Sequence, residues 1–228
     1  KQIKELYPKL NILNCDKNYG YAEGCNKGAS IAKSEYLVFL NNDTIQDINW
    51  IAPLIKKMDS DSNISSVQPK IKNFYNDQNF DYAGGCGGEL DIFCFPFSRG
   101  RIFNTIEKDN NQYDKSDYIF WASGTGFMTR KSIFNKVNGF DKTLFAHMEE
   151  IDYHWKCHLL GYNVSNVPSS IIYHKGGQTL DYQSPFKTYL NHRNSFLLLL
   201  TNYSIPVMLL LFIPRLILEF ISIFYELL

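Results

Sequence analysis

The stretch Tyr36–Ile45, YLVFLNNDTI, runs five apolar residues straight into Asn41, Asn42 and Asp43. A continuous apolar run of this length reads as a buried strand covered on both faces. An aspartate at the C-terminal end of such a strand sits where α/β sheets bind their ligands. As a hard oxygen donor, Asp43 can there hold a divalent cation that bridges phosphate oxygens. The same NNDT also fits a plain turn followed by a helix N-cap. The strand tip therefore has to be read together with what surrounds it.

Upstream, KQIKELYPKLN (residues 1–11) predicts a helix stopped by Pro8, and NILNC (11–15) a short strand. The glycine-punctuated NYGYAEGCNKGASIAKS (18–34) enters a helix near Cys25 to Lys33. Downstream, DINWIAPLIKKMDS (47–60) spaces Ile48, Ile51, Leu54, Ile55 and Met58 as a helix, with Pro53 in the tolerated early part. ISSVQPKI (64–71) predicts another strand. Helices alternating with strands imply an α/β sheet with crossover connections and helices on its flanks. Residues 73–117, rich in Gly, Pro and aromatics, show no helical period and predict an irregular insertion with short strands or hairpins over one sheet edge.

DYIFWASGTGFMTR (117–130) reads as strand, turn at Gly124–Gly126 and strand. KSIFNKV (131–137) and MEEIDYHWKCHLLG (148–161) read as helices, the second ended by Gly161, and YNVSNVP (162–168) and SSIIYH (169–174) as two final strands. From Pro185 the composition shifts. FKTYLNHRNSFLLLLTN (186–202) predicts a helix, and residues 204–228 are almost wholly apolar, broken by Pro206, Pro214, Arg215, Glu219 and Glu226. That segment approaches the roughly 20 residues of a spanning helix. Arg215, Glu219, Ser222 and Glu226 fall on one helical stripe, so the segment can lie in a membrane interface, pack on a partner or cover the core. Two units follow: a sheet domain over 1–182 and a helical, membrane-associated tail over 183–228.

Among 228 residues, Lys+Arg and Asp+Glu balance at 23 each, which argues against a nucleic-acid partner. The five cysteines form no C-x-x-C pair and leave one over, as expected of reduced thiols in a cytoplasmic setting.

Three further features carry chemistry. In HMEEIDYHWK, Glu149, Glu150 and Asp152 crowd the first turn of a helix. The helix dipole favours acids there without any catalytic role, yet mutual repulsion is also how a carboxylate acquires a general base's raised pKa. In IIYHKGGQT, His174 ends an apolar strand beside Gly176 and Gly177, which suits either a ligand or a structural histidine. In ASGTGFMTR, the small residues either admit a ligand to the backbone or merely shape a hairpin.

Taken in order, NYGYAEGCNKGASIAKSEYLVFLNNDT, DYAGG, GTGFMTRKSIFNKVNGFDKTLFAHMEEIDYHWKCHLLGYNV and YHKGG resemble the family-2 glycosyltransferases, nearest their bacterial rhamnosyltransferase-like branch, across Lys9 to Thr179. The resemblance implies a GT-A fold, with a mostly parallel nucleotide-sugar-binding sheet. It implies that the family's opening strand–helix–strand, which reads the nucleotide base, precedes Lys1 and that the chain is N-terminally incomplete. It places Asp43 and His174 as ligands of Mg²⁺ or Mn²⁺, and Asn18, Gly20, Asn26, Asn41, Asn42 and Asp43 on the sugar donor. Glu150 becomes the catalytic base with Glu149 beside it, and Gly124, Thr125, Gly126 and Asp152 face the acceptor. The implied reaction is inverting, metal-dependent sugar transfer from a nucleotide-diphosphate sugar to a glycan or lipid-linked acceptor in surface polysaccharide synthesis. The implied location is the inner face of the cell membrane, with residues 204–228 on the membrane surface and no nucleic acid involved. The alternative is an inactive fragment or membrane-associated scaffold.

Overall fold

A computed structural model describes residues 2–176 and 184–227, with side chains from 3 to 176 and 184 to 222. Gly177, Thr179, the expected boundary at 182/183 and the Glu226 side chain lie outside the described residues. In chain order the elements are α1 (Gln2–Leu6), α2 (Gly20–Ile31), β1 (Tyr36–Leu40), β2 (Thr44–Gln46), α3 (Ile51–Ser60), β3 (Ile64–Asn73), β4 (Gly88–Leu90) and β5 (Pro96–Ser98). There follow β6 (Arg101–Ile102), β7 (Thr105–Ile106), β8 (Tyr118–Ile119), β9 (Gly126–Arg130), α4 (Lys131–Lys136), α5 (Glu149–Leu159), β10 (Asn163–His174), α6 (Pro185–Asn202) and α7 (Ile205–Leu227).

The central sheet has the order β1-β9-β3-β10-β2, with β8 also pairing β10. β1, β3 and β10 point the same way, as α/β crossovers require, but only β3 and β10 are parallel neighbours. The expected mostly parallel sheet is therefore a mixed one. The reason is that β9 enters antiparallel between β1 and β3, while β2 and β8 run antiparallel along β10.

Three further expectations change. β1 buries Leu37 and Phe39 but leaves Val38 and Leu40 more than a third exposed, so it is covered on one face only. With β9 as its single strand neighbour among the described residues, it alternates instead of reading as doubly covered. NILNC forms no strand: Ile12 and Leu13 are exposed and no ladder includes them. The two final strands are one, β10, whose pairing with β3 shifts register between Val167 and Ile171, so that Pro168 occupies a bulge.

Both faces of β9 are covered. Phe127 joins Phe39, Phe134, Phe140 and Tyr153 in a cluster under α2, α4 and α5, with Phe39 4.9 Å from Phe140 between ring centroids. Met128 points the other way, to Leu54 and Met58 of α3. Alternate residues of one strand thus meet opposite helix layers. The central strand β3 buries polar groups as well, and each is paired. Ser66 bonds Thr129 at 2.9 Å, Gln68 reaches the Gly84 carbonyl at 2.7 Å, and Lys70 meets Asp109 at 2.9 Å. The cysteines are all free. A third cluster joins α5 to α6 and to the insertion through Ile151, Trp155, Leu198, Leu199 and Cys94. The segment expected as an appendage therefore contributes α6 to the core.

Candidate active site

The C-terminal ends of β1, β3 and β10 and the N-terminal end of β9 share one edge of the sheet, which fixes where the polar tips converge. Thr44 pairs directly with His174 across β2 and β10, and the Lys175 N–H donates to the Asp43 carbonyl at 3.0 Å. This backbone ladder brings Asp43 Oδ1 to 3.2 Å from His174 Nε2. Apart from this approach, Asp43 Oδ1 is buried with no hydrogen-bond partner among the described residues. On its other side the imidazole faces Asp81, with Nδ1 3.1 Å from Oδ2. Asp81 is itself buried and accepts from the Ala83 N–H at 2.7 Å. Burial alone would disfavour the imidazolium, but the Asp81 and Asp43 carboxylates outweigh it and raise the His174 pKa.

Among the described residues no group of three or more His, Cys, Asp or Glu forms a metal cage. Asp81 is close to the pair but is spent on Nδ1, so it orients the ring and leaves Nε2 and the orphaned Asp43 oxygen as the donors. Two protein donors, one a carboxylate, would suit a hard cation that leaves further ligand positions open. The residues present therefore fit Mg²⁺ or Mn²⁺.

Across the same cavity, of 640 Å³, stand Glu149 and Glu150. They open α5 directly after Met148, which is left-handed at φ 71°. Glu150 Oε1 accepts from the Gly124 N–H at 3.3 Å, and the Tyr21 hydroxyl donates to the Gly124 carbonyl at 2.8 Å. The Oε2 atoms of both glutamates are buried without hydrogen-bond partners among the described residues. Burial, reinforced by the neighbouring Glu150, holds the Glu149 carboxyl well above the ordinary carboxylate range. Burial also raises Glu150, against hydrogen bonds from the backbone that favour its charge. The adjoining His147 is pushed down to about 4 by burial and by Lys187. The two ends of the cavity are joined through the glycine turn, because the Asn41 N–H donates to the Thr125 carbonyl at 3.0 Å.

Asn41, Asp43, Gly124, Thr125, Glu149, Glu150 and His174 all line this cavity. The other expected site residues do not. Asn26 grips the backbone of Phe140 from both sides, receiving its N–H at 2.9 Å and donating to its carbonyl at 2.8 Å. Asn18 accepts from the Gly20 N–H at 2.9 Å and is exposed, as is Asn42. Gly20, at φ 76°, is needed for close approach, since a Cβ there would meet the Phe145 carbonyl oxygen at 2.3 Å. Gly126 likewise packs on β10, where a Cβ would lie 2.5 Å from Ile172 Cδ1. Asp152 points away, pairing with Lys156 at 2.6 Å and accepting from Asn202 at 2.9 Å, which ties α5 to the end of α6.

Sequence reasoning passed over Tyr21 and Asp81, although both stand inside motifs already singled out, NYGYAEGC and DYAGG. It also missed Lys187, Thr188, Asn191, His192 and Ser195, a single polar face of α6 that walls the cavity. Their spacing along one helical face was the available signal.

Residues 1–138 match the model of Glycosyl transferase family 2. The chain is 26% identical over 180 residues to rhamnosyltransferase WbbL of Escherichia coli K12, covering 74% of this chain and 65% of that protein. It is also 26% identical over 117 residues to the N-acetylglucosaminyl-diphospho-decaprenol L-rhamnosyltransferase of Mycobacterium tuberculosis, covering 51% and 38% of the two chains. The chain thus spans just under two thirds of the first of these relatives and a smaller part of the second. In fold it is similar to GalNAc-T7, solved with UDP, GalNAc and Mn²⁺, at a TM-score of 0.59 and 17% identity over 76% of this chain and 34% of that one. The mannosyltransferase PcManGT of Pyrobaculum calidifontis, solved with GDP-Man and Mn²⁺, aligns at 0.52 and 13% identity, over 100% of this chain and 66% of that one. With the helix-flanked mixed sheet and the site at its strand tips, these findings make the chain a member of glycosyl transferase family 2, built on the GT-A fold and similar in sequence to its rhamnosyltransferases.

Proposed function

We propose that the protein transfers a sugar, with inversion, from a nucleotide-diphosphate sugar to a glycan or lipid-linked acceptor in surface polysaccharide synthesis. The observation that carries this reading is one cavity holding an orphaned Asp43 oxygen beside His174 at one end and the buried Glu149–Glu150 pair at the other. Asp43 and His174 would hold the divalent cation, which would supply positive charge to the donor diphosphate. Asp81 keeps the His174 ring turned towards that ligand. Glu150, held against the Gly124 N–H, takes the proton from an acceptor hydroxyl as its oxygen attacks the anomeric carbon. The bond from that carbon to the diphosphate oxygen breaks with its electron pair on the departing nucleotide, through an oxocarbenium-like transition state. Burial and the neighbouring Glu150 raise the Glu149 carboxyl, which favours its neutral form beside the base.

The test is turnover of nucleotide-diphosphate sugars by the purified protein. Release of nucleoside diphosphate should stop on chelation, return with Mn²⁺ or Mg²⁺, and vanish in Asp43→Ala. Chelator-insensitive turnover, or full activity in Asp43→Ala, defeats the metal assignment.

We also propose that α7 rests on the inner face of the cell membrane, in its plane. In support, Leu209, Leu210, Ile213, Ile217, Phe220 and Ile221 are all more than half exposed, while Arg215 is fully buried and pairs with Glu219 at 2.5 Å against the protein. Residues 205–222 are long and apolar enough to cross a bilayer by composition, but crossing would carry the Arg215–Glu219 pair into hydrocarbon and strip Arg215 of Ser195 on α6. Co-sedimentation with phosphatidylethanolamine–phosphatidylglycerol vesicles should be lost in a Leu210→Lys/Ile217→Lys double variant. Retention of binding by that variant overturns the proposal.

A further inference from the structure

The loop that delivers Glu149 and Glu150 is the most strained segment of the site. Phe145 adopts φ 64° and ψ −63°, and the Ala146 N–H closes on the Leu144 carbonyl at 2.7 Å, which is a γ-turn of the rare, strained kind. His147 and Met148 follow at φ 68° and 71°. Left-handed conformations at three non-glycine residues out of four persist only where surrounding structure over-determines them. What over-determines them comes from α6. Asn194 is fully buried, and its amide nitrogen lies within hydrogen-bond distance of the carbonyls of Leu144, Ala146 and His147, at 2.9, 2.9 and 2.7 Å. Arg193 fixes that amide by donating from Nε to Asn194 Oδ1 at 2.9 Å, and its Nη2 reaches the Thr143 and Leu144 carbonyls. From the opposite side the Ala22 N–H of α2 donates to the Phe145 carbonyl at 3.1 Å.

We infer that Asn194 is a positioning residue for sugar transfer: by gathering the carbonyls of residues 144, 146 and 147, it sets the first turn of α5 and thereby the place of Glu149 and Glu150 in the cavity. Asn194 touches neither donor nor acceptor and acts through the loop. The side chain is specific to the task. An aspartate of the same shape would keep the acceptor for Arg193 but aim oxygen lone pairs at three carbonyls, and a leucine would fill the space with no donor. The consequence is that α6, which composition assigns to a tail, is part of the catalytic apparatus. This inference rests on the glycosyltransferase reading for its effect on turnover, but not for its effect on the loop.

The experiment compares the wild type with Asn194→Ala, Asn194→Asp and a control, Asn202→Ala, which removes the contact to Asp152 at the far end of the same helix. In both Asn194 variants kcat for nucleoside diphosphate release should fall by about 100-fold, the scale of a misplacement near 1 Å. KM for the donor and affinity for UDP or GDP in Mn²⁺ should stay within about twofold of wild type. Hydrogen exchange should quicken at residues 144–152 and remain slow in β9. Asn202→Ala should keep wild-type kcat and wild-type exchange at 144–148. Unchanged kcat and exchange in Asn194→Ala overturn the inference. So does exchange that quickens in β9 too, with activity following the folded fraction, because Asn194 is then a residue of the fold. If the wild type turns over no donor, the glycosyltransferase reading fails, and local exchange at 144–152 alone decides whether Asn194 holds the loop.

Discussion

The two ends of the cavity are built by opposite means. Asp43 and His174 sit on the tips of paired strands, and backbone hydrogen bonds between β2 and β10 set their spacing. Glu149 and Glu150 sit after a strained loop that no ladder supports, held by side chains of α6 and by the end of α2. A ladder fixes geometry through groups that every residue carries, so its precision survives most substitutions of neighbouring side chains. A loop held by side chains depends on the identity of each one. The Asp43–His174 end should therefore keep its backbone geometry when side chains around it change, and the Glu149–Glu150 end should not.

The largest effect should come from Glu150, the proposed base. Glu150→Gln should lower kcat by about 10²- to 10⁴-fold while donor affinity persists, measured by nucleoside diphosphate release and by calorimetry. Retained kcat would move the base to Glu149. The pH profile sharpens the same end. A base must be deprotonated to act, and burial raises Glu150, so activity should fall with decreasing pH through an acid limb that lies above the ordinary glutamate value of about 4.3. An acid limb at that ordinary value would mean that the working carboxylate is exposed.

At the other end, Asp81→Asn should weaken Mn²⁺ binding by about 10- to 100-fold without unfolding the sheet, as calorimetric titration with the metal would read. Unaltered Mn²⁺ affinity would separate Asp81 from the cation site. The smallest effect on activity is expected at Asn26. Asn26→Ala should lower stability by about 1–3 kcal/mol in urea unfolding, because it leaves the Phe140 backbone unpaired, and should leave kcat unchanged. A loss of donor affinity at unchanged stability would return Asn26 to the donor site.

Much of the cavity was legible in the order of residues. YLVFLNND ends one strand at the ligand-binding edge of the sheet, HMEEID opens a helix and YHKGG closes another strand, and each is a local signal. Legibility stopped where a residue's partner lies far away in the chain. Asn26 and Gly20 belong to a donor-loop motif, yet one is spent on Phe140 and the other on Phe145, more than a hundred residues on. Asp152 shares a turn with Glu149 and Glu150, but helical rotation carries it to Lys156 and Asn202 instead of the cavity. Asp81 lay in a quoted motif and gained a role only when β3 and β10 paired. Asn194, in a helix read by composition as part of a tail, gave no local sign of the loop it holds.

The sequence by itself determined the family, the alternation of helices and strands, and the residues with the right chemistry at the strand tips and at the start of α5. These follow from periodicity, capping and side-chain type, which act within a few residues. Tertiary structure alone decided that β9 runs antiparallel between β1 and β3, that Asp81 meets His174, and that α6 walls the cavity and contacts the loop before Glu149 and Glu150. Those outcomes rest on contacts between segments remote in the chain, and a local pattern carries no record of which remote carbonyl a buried amide will meet.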